Sequence, residues 1–493
     1  QQICTNKENT MKFKTTTITG ANEFLQYGLR AEEYVASFLK EDSDGMYSDE
    51  LTGASRHNLY VGTAGILHMY VELHQVTDNE EYKTKITEIA RYLDRHVFAG
   101  VEAAKHDGEF VPGMAEAFYS GIGGIGLALN EVYRLYKDEN ARHGAGQIID
   151  YYFKHAVKTD EGIYWSGNCP VFFDGGIALF LVDSYYTYGS AKDNTKQDIS
   201  PKNGDGCSKT DTSIGDKLRS YITGAADYIL AHAIKHGEGA LEFDRLNVDF
   251  KHKEPNFEFG TAGVGYLMAQ VYVLTGDRKY LEAAFAAANY IKSIAVKQKK
   301  GYLIPYKLGR YDDKFYLGNC HGPVGTAKLF YELYSIMKNP EWLQEVRELI
   351  DGAESLGAPF AMSWGFWNTT CVCCGPAGYM PLFIAMYRET GEDKWKELAH
   401  RVGEVLVGSG SVSGTVSSES GAAENISGTF SNDNGSGKFA WEIAFDRTAP
   451  DKLTRPAGYF TGAAGMIVML LELYCLETGK SGVRSFIDDP YRK

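Results

Sequence analysis

The chain has no hydrophobic run long enough to cross a bilayer. Its most apolar stretch, MIVMLLELYCL at 466–476, ends in charge and falls well short of the roughly 20 residues a membrane helix needs. A basic excess is lacking too: 50 Lys and Arg face 64 Asp and Glu, for a net charge of −14. That balance excludes nucleic acid and anionic membrane surfaces as main partners. The first residues, Gln1-Gln2-Ile3, contain no Met, which reads as a mature chain after removal of a secretory signal. Three sequons, at Asn368, Asn425 and Asn434, fit the same expectation of a secreted glycoprotein; a trimmed cytoplasmic chain is the alternative. What remains is 44% hydrophobic and 23% charged, an ordinary globular composition with ample core.

What the sequence does have is one short phrase seven times over: a Gly-x-x-Gly, or its remnant, opening an apolar helix. The copies are Gly62-x-x-Gly65, Gly121-x-x-Gly124, a decayed copy ending at Gly176, Gly260-x-x-Gly263, Gly322-x-x-Gly325, Gly375-x-x-Gly378 and Gly462-x-x-Gly465. Such a repeat means one supersecondary unit used again and again. The apolar residues after each glycine pair recur with a helical period. Turns such as Thr77-Asp78-Asn79, Lys338-Asn339-Pro340 and Thr390-Gly391-Glu392 follow, and then a second helix with an early aromatic, Tyr82, Tyr280, Trp342 or Trp395. Each unit is therefore a helical hairpin. Seven inner helices ringed by outer ones predict an all-α chain closed into an α/α toroid, with the inner N-termini and their partial positive charge gathered at one end.

Residues 1–20, with KFKTTTITG, favour extended structure and read as an arm. Residues 21–493 read as a single toroid domain carrying polar insertions at about 190–216 and 408–439, the second Gly/Ser-rich and either disordered or a small β-excursion.

Eight cysteines are present: 4, 169, 207, 320, 371, 373, 374 and 475. Cys320 in NCHG and Cys373-Cys374 in CVCCG stand at the same place in consecutive repeats, and neighbouring helix starts would bring them together. Three thiolates make a good zinc site with a fourth position open, and helix N-termini favour the thiolate form. Disulfides or buried free thiols are the competing readings.

With a Cys-x-Gly in the fifth repeat and a Cys-Cys-Gly in the sixth, the chain resembles the lanthionine synthetase C-like (LanC-like) family from about residue 22 to 480. The resemblance implies an α/α toroid with zinc held by Cys320, Cys373 and Cys374. It further implies addition of a thiol to a dehydroamino acid, with zinc activating the thiol and acid/base groups handling the enolate. No dehydrating kinase or lyase segment is read beside the ring, so the expectation is that the chain does not dehydrate a precursor peptide itself. The chain also departs from the family pattern. The His before the fourth-repeat glycine is Phe259, with Glu258 beside it; the third-repeat Asp position is Cys169; the Arg before the fifth-repeat Cys is Tyr316; and the usual Trp is Asn319. His321, Glu258 and Asp174 are the candidate catalytic residues, each also readable as packing or capping. Cys169 and Cys371 are possible additional or alternative ligands. The expectation is a zinc protein whose cyclase activity is lost or altered, acting on a peptide or small electrophile. The alternatives are a non-catalytic, self-assembling scaffold whose arm docks on a neighbouring copy, and a carbohydrate-active toroid using two carboxylates.

Overall fold

The computed structural model describes residues 11–107, 113–189, 213–244, 252–413, 438–482 and 486–492. Each glycine phrase opens a helix with little or no polar face. These are α2 (Thr63–Thr77), α5 (Ile122–Tyr136), α7 (Asp174–Ser184), α9 (Thr261–Thr275), α11 (Pro323–Met337), α13 (Tyr379–Thr390) and α15 (Ala463–Thr478). In α15 every residue from Ala463 to Cys475 is buried. A helix apolar on all sides must be covered on all sides, so these seven form the inner layer.

The outer helices are amphipathic. They are α1 (Ala21–Ala36), α3 (Glu80–His96), α6 (Glu139–His155), α8 (Ile214–Ala231), α10 (Arg278–Ser293), α12 (Pro340–Ser355) and α14 (Asp393–Ser409). Helix α3 buries Tyr82, Ile86, Ile89, Ala90 and Leu93, a spacing of three and four that makes one apolar stripe. A short α4 (Ala99–Asp107) is extra. Outer helices pack on the inner helix that precedes them, except that α1 packs on α15. The first helix thus supplies the outer half of the last hairpin and closes the α/α toroid.

Turn chemistry sets the hairpins. Six of the seven inner helices, all but α7, end on left-handed residues: Asp78, Lys137, Gly276, Lys338, Gly391 and Gly479. The side chains of Asn79, Asp138, Asp277 and Asn339 then accept from the first free amides of the outer helices, the usual satisfaction of orphan donors. The sixth repeat differs from expectation. After Gly375 a tight 3-10 turn, Pro376–Gly378, precedes α13, because Pro381 lacks the amide that would bond back to Ala377 O in an α-helix. Six two-stranded antiparallel hairpins also occur among the described residues.

The second motif glycine is a point of close approach. A methyl group at Gly65 would lie 2.6 Å from Tyr459 Cβ of the seventh repeat, and one at Gly325 would lie 2.8 Å from Phe257 Cβ of the fourth. In each case a neighbouring loop leans on the bare backbone.

The arm is extended where described, and it lies on its own ring. Phe13 and Ile18 are buried, Met362 N–H donates to Met11 O (2.7 Å) and Thr16 N–H to Glu404 O (3.1 Å). The expectation of docking on a neighbouring copy thus meets residues already engaged within the chain. Of the first insertion, 190–212 lies outside the described residues, while 214–216 belong to α8. Of the second, Gly410–Ser413 pairs with Lys438–Trp441 in an antiparallel ladder; residues 414–437, with Asn425 and Asn434, lie outside the described residues. No helix among the described residues is long and apolar enough to cross a membrane.

Gly65→Ala should cost about 2–3 kcal/mol by overpacking, read as a lower urea midpoint. Asp78→Gly, which relieves a left-handed non-glycine residue, should leave the midpoint unchanged or higher.

Candidate metal centre

The loops before the inner helices are tied in a ring by backbone hydrogen bonds. Phe460 N–H donates to Tyr60 O, Tyr60 to Tyr119, Phe118 to Phe172, Phe172 to Glu258, Glu258 to Cys320, Asn319 to Cys373, and Cys373 back to Phe460, at 2.7–3.4 Å. Seven bonds pass through all seven repeats and return to the start. Cys320 and Cys373 are members of this circuit, which fixes where their side chains begin.

The sulfurs of Cys320, Cys373 and Cys374 all lie within 4.8 Å of one another. Three sulfurs sharing one tetrahedral zinc at about 2.3 Å would sit about 3.8 Å apart, inside that spacing. Cys320 and Cys373 are buried and Cys374 half-buried. Burial pushes the Cys320 thiol well above its usual range. The hydrogen bond with Cys320 raises Cys373. Cys374, lowered by Cys320 but raised by Cys371 and Cys373, also ends high. Three thiolates cannot crowd together in a low-dielectric pocket without a cation, so the donor set fits a thiophilic dication. Two hydroxyls complete it: Tyr60 donates to Cys373 Sγ (2.8 Å) and Tyr316 to Cys374 Sγ (3.0 Å).

Glu258 comes to this centre. It is buried within electrostatic reach of Cys320, Tyr60 and Tyr119. Burial lifts its carboxyl to about 8, opposed by Lys328, and Oε1 has no hydrogen-bond partner. His321 stacks on Phe259 at 4.8 Å and lies edge-on to Tyr306 and to Tyr316, whose hydroxyl meets Cys374. Asp174 does not come to it. Its carboxylate accepts from the amides of Trp165, Ser166 and Gly167 and from Ser166 Oγ, so it organises its own loop. Cys169 is buried outside the three-sulfur group, its thiol raised by burial and Asp174. Cys371 is outside the group as well, lowered to about 7 chiefly by its hydrogen bond with Cys374. The six described cysteines are all unpaired; Cys4 and Cys207 lie outside the described residues. Asn368 is half-buried, and its amide donates to Pro450 O (3.2 Å).

Two features escaped the sequence reading. Arg447 lays its guanidinium over Trp364 (4.3 Å), Tyr306 (5.1 Å) and Tyr316 (5.9 Å), a cation on the aromatic wall beside Cys374. Deeper in the ring, the tenth residue after the first motif position is acidic in five repeats: Glu72, Glu131, Asp183, Glu332 and Glu472, all buried. Aligning the repeats by their glycines would have exposed that column.

The sequence model of the lanthionine synthetase C-like protein family matches residues 53–141 and 216–431, more than half of the chain. The chain belongs to the lanthionine synthetase C-like family. Among solved structures, nisin cyclase shares the LanC-like fold with it at 14% identity and a TM-score of 0.51, covering 92% of this chain and 93% of that one. A cellobiose 2-epimerase from Bacillus thermoamylovorans B4167 aligns at 15% identity and TM-score 0.40, over 67% of this chain and 86% of its own. The GH76A α-1,6-mannanase of Salegentibacter sp. HEL1_6 aligns at 12% and 0.36, over 66% and 84%. No curated protein matches the sequence.

In this LanC-like ring the hydroxyls of Tyr60 and Tyr316 are the direct partners of the sulfurs. Partners of this kind are typically worth about 10–100-fold in metal affinity. Tyr316→Phe should therefore weaken zinc binding about tenfold in a chelator competition, with the fold unchanged by circular dichroism; an unchanged affinity would remove the hydroxyl from the account.

Proposed function

We propose that this chain is a zinc protein of the LanC-like family whose thiol-addition (cyclase) activity is lost or altered. One observation carries the reading: three thiol sulfurs converge, while the neighbouring positions at which the resemblance calls for His and Asp hold Phe259 and Cys169. Cys320, Cys373 and Cys374 would hold the metal. Zinc, when bound, would supply Lewis-acid activation of a thiol at its fourth position.

The rest of the chemistry rests on the chain's own groups. Tyr60 and Tyr316 stabilise charge on two of the sulfurs through their hydroxyls. Glu258, with Oε1 unpartnered beside the centre, is the carboxyl that would take or give a proton there. His321 is held flat against Phe259. The wall of Tyr306, Tyr316 and Trp364 excludes water, and Arg447 gives it a positive charge. A peptide or small molecule with an electrophilic alkene is the substrate class this supports.

A non-catalytic, zinc-stabilised scaffold is the second reading, favoured by the near-complete burial of Cys320 and Cys373 at 5% and 0% exposure.

Elemental analysis of the purified chain should give about one zinc per chain, falling about tenfold in Cys374→Ala, as expected when one of three ligands is lost. Absence of zinc from both would contradict the proposal. Phe259→His should then separate the two readings. A gain of about 100-fold in thiol addition to a dehydroalanine peptide, the scale of one acid/base group, marks an altered enzyme, and no gain marks a scaffold.

A further inference from the structure

The chain's last described segment, Phe486–Arg492, lies inside the ring and binds it as a ligand would, through side chains rather than through secondary-structure pairing. The Phe486 ring sits 4.3 Å from that of His68 on α2. Tyr266 of α9 donates to Ile487 O (2.6 Å). Asp488 accepts from Tyr119 (2.8 Å) and lies 3.6 Å from Lys328 Nζ on α11. Tyr491 donates to Val324 O (2.6 Å).

Arg492 ends the run, only 5% exposed. Its guanidinium bridges two carboxylates of the acidic column: Nη2 to Glu72 on α2 (2.9 Å) and Nε to Glu472 on α15 (2.7 Å). A planar fork between two acids is the geometry arginine supplies and lysine does not. The site is wider than its occupant. Oε2 of the buried Glu472 has no hydrogen-bond partner, and His68 with Glu131 (2.8 Å) extends the polar floor next to Glu72.

The segment also reaches the thiol centre from within. Asp488 and Tyr491 line one small cavity together with Asn319 and Val372, the chain neighbours of Cys320 and Cys373. Tyr119, bonded to Asp488, lies 6.5 Å from the ring of Tyr60, which holds Cys373.

We propose that the toroid lumen is a guanidinium-reading peptide site occupied by the chain's own segment Phe486–Arg492, and that this seating closes the inner face of the thiol centre. The role given to the thiols rests on the metal reading above; the peptide site does not. Its ligand is a short peptide with an aromatic, a carboxylate and an arginine in the order Phe486, Asp488, Arg492.

The test uses the full chain and a labelled synthetic peptide of residues 486–493. Tyr491→Ala/Arg492→Ala should bind the peptide about tenfold more tightly than the wild type, whose site is filled. Alanine at the peptide's arginine should weaken binding about thirtyfold, as loss of one partner of a buried charge pair does. In the metal-free chain the same variant should label at Cys320, Cys373 and Cys374 with a thiol reagent about tenfold faster, and added peptide should reverse the gain. Arg492→Lys, which keeps the charge and loses the fork, should move both readouts the same way by less, and it carries the test if the double variant does not fold. Peptide binding no tighter than wild type in either variant, or wild-type labelling rates in both, would overturn the proposal. Neither readout needs zinc, so failure of the metal reading, decided by elemental analysis, is separately visible.

Discussion

The structure depends on a closed circuit of seven backbone hydrogen bonds, running from Phe460 through Tyr60, Phe118–Tyr119, Phe172, Glu258, Cys320 and Asn319–Cys373 back to Phe460. Each bond joins the loop of one repeat to the loop of the next. One such bond contributes only about 1 kcal/mol net, but the circuit is buried, and an amide left open there would cost its full desolvation. The bare second glycine of six of the seven motifs, all but Gly378, is what lets the loops come this close. A side chain at Gly65 or Gly325 would strike Tyr459 or Phe257 and push two loops apart, with the hydrogen bond between them.

The thiol centre follows from that circuit. Cys320 and Cys373 contribute backbone atoms to it, so the spacing of the sulfurs is set by the ring and not by local flexibility. Rigid elements supporting a ligand set are what a metal site of defined geometry requires. The hydroxyl of Tyr316 comes from the fifth repeat, which also carries Cys320, and that of Tyr60 arrives from the first, which makes the centre a property of the closed toroid. Below it, charge is managed in pairs: Arg492 with Glu72 and Glu472, Lys328 with Asp488, and His68 with Glu131. Buried carboxylates on neighbouring helices are tolerable only with such partners.

Much of this was legible in the sequence, because much of it is local. The glycine phrases marked the seven inner helices, turn residues such as Asn79 and Asn339 marked the caps, and the aligned positions of Cys320 and Cys373-Cys374 marked the three sulfurs. What escaped was decided by contacts between distant parts of the chain. Nothing in the pattern of α1 says that it pairs with α15, more than 400 residues away. Asp174 at a helix start reads equally well as a catalytic acid and as a loop organiser, and only the amides of 165–167 settle which. The packing of residues 11–18 against Glu404 and Phe360 and the seating of Arg492 between two helices are likewise pairings across the ring. Short strand pairs such as Val157–Thr159 with Gly162–Tyr164 are too brief to show an alternating pattern.

On this reading three sulfurs from two adjacent repeats, and no fourth, form an open metal centre. X-ray absorption at the zinc edge of the metal-loaded chain tests it most directly. The account predicts three sulfurs at about 2.3 Å and one lighter atom. A shell of four sulfurs, drawing in Cys371 or Cys169, would mean a closed structural site, and a shell without sulfur would mean that the metal lies elsewhere.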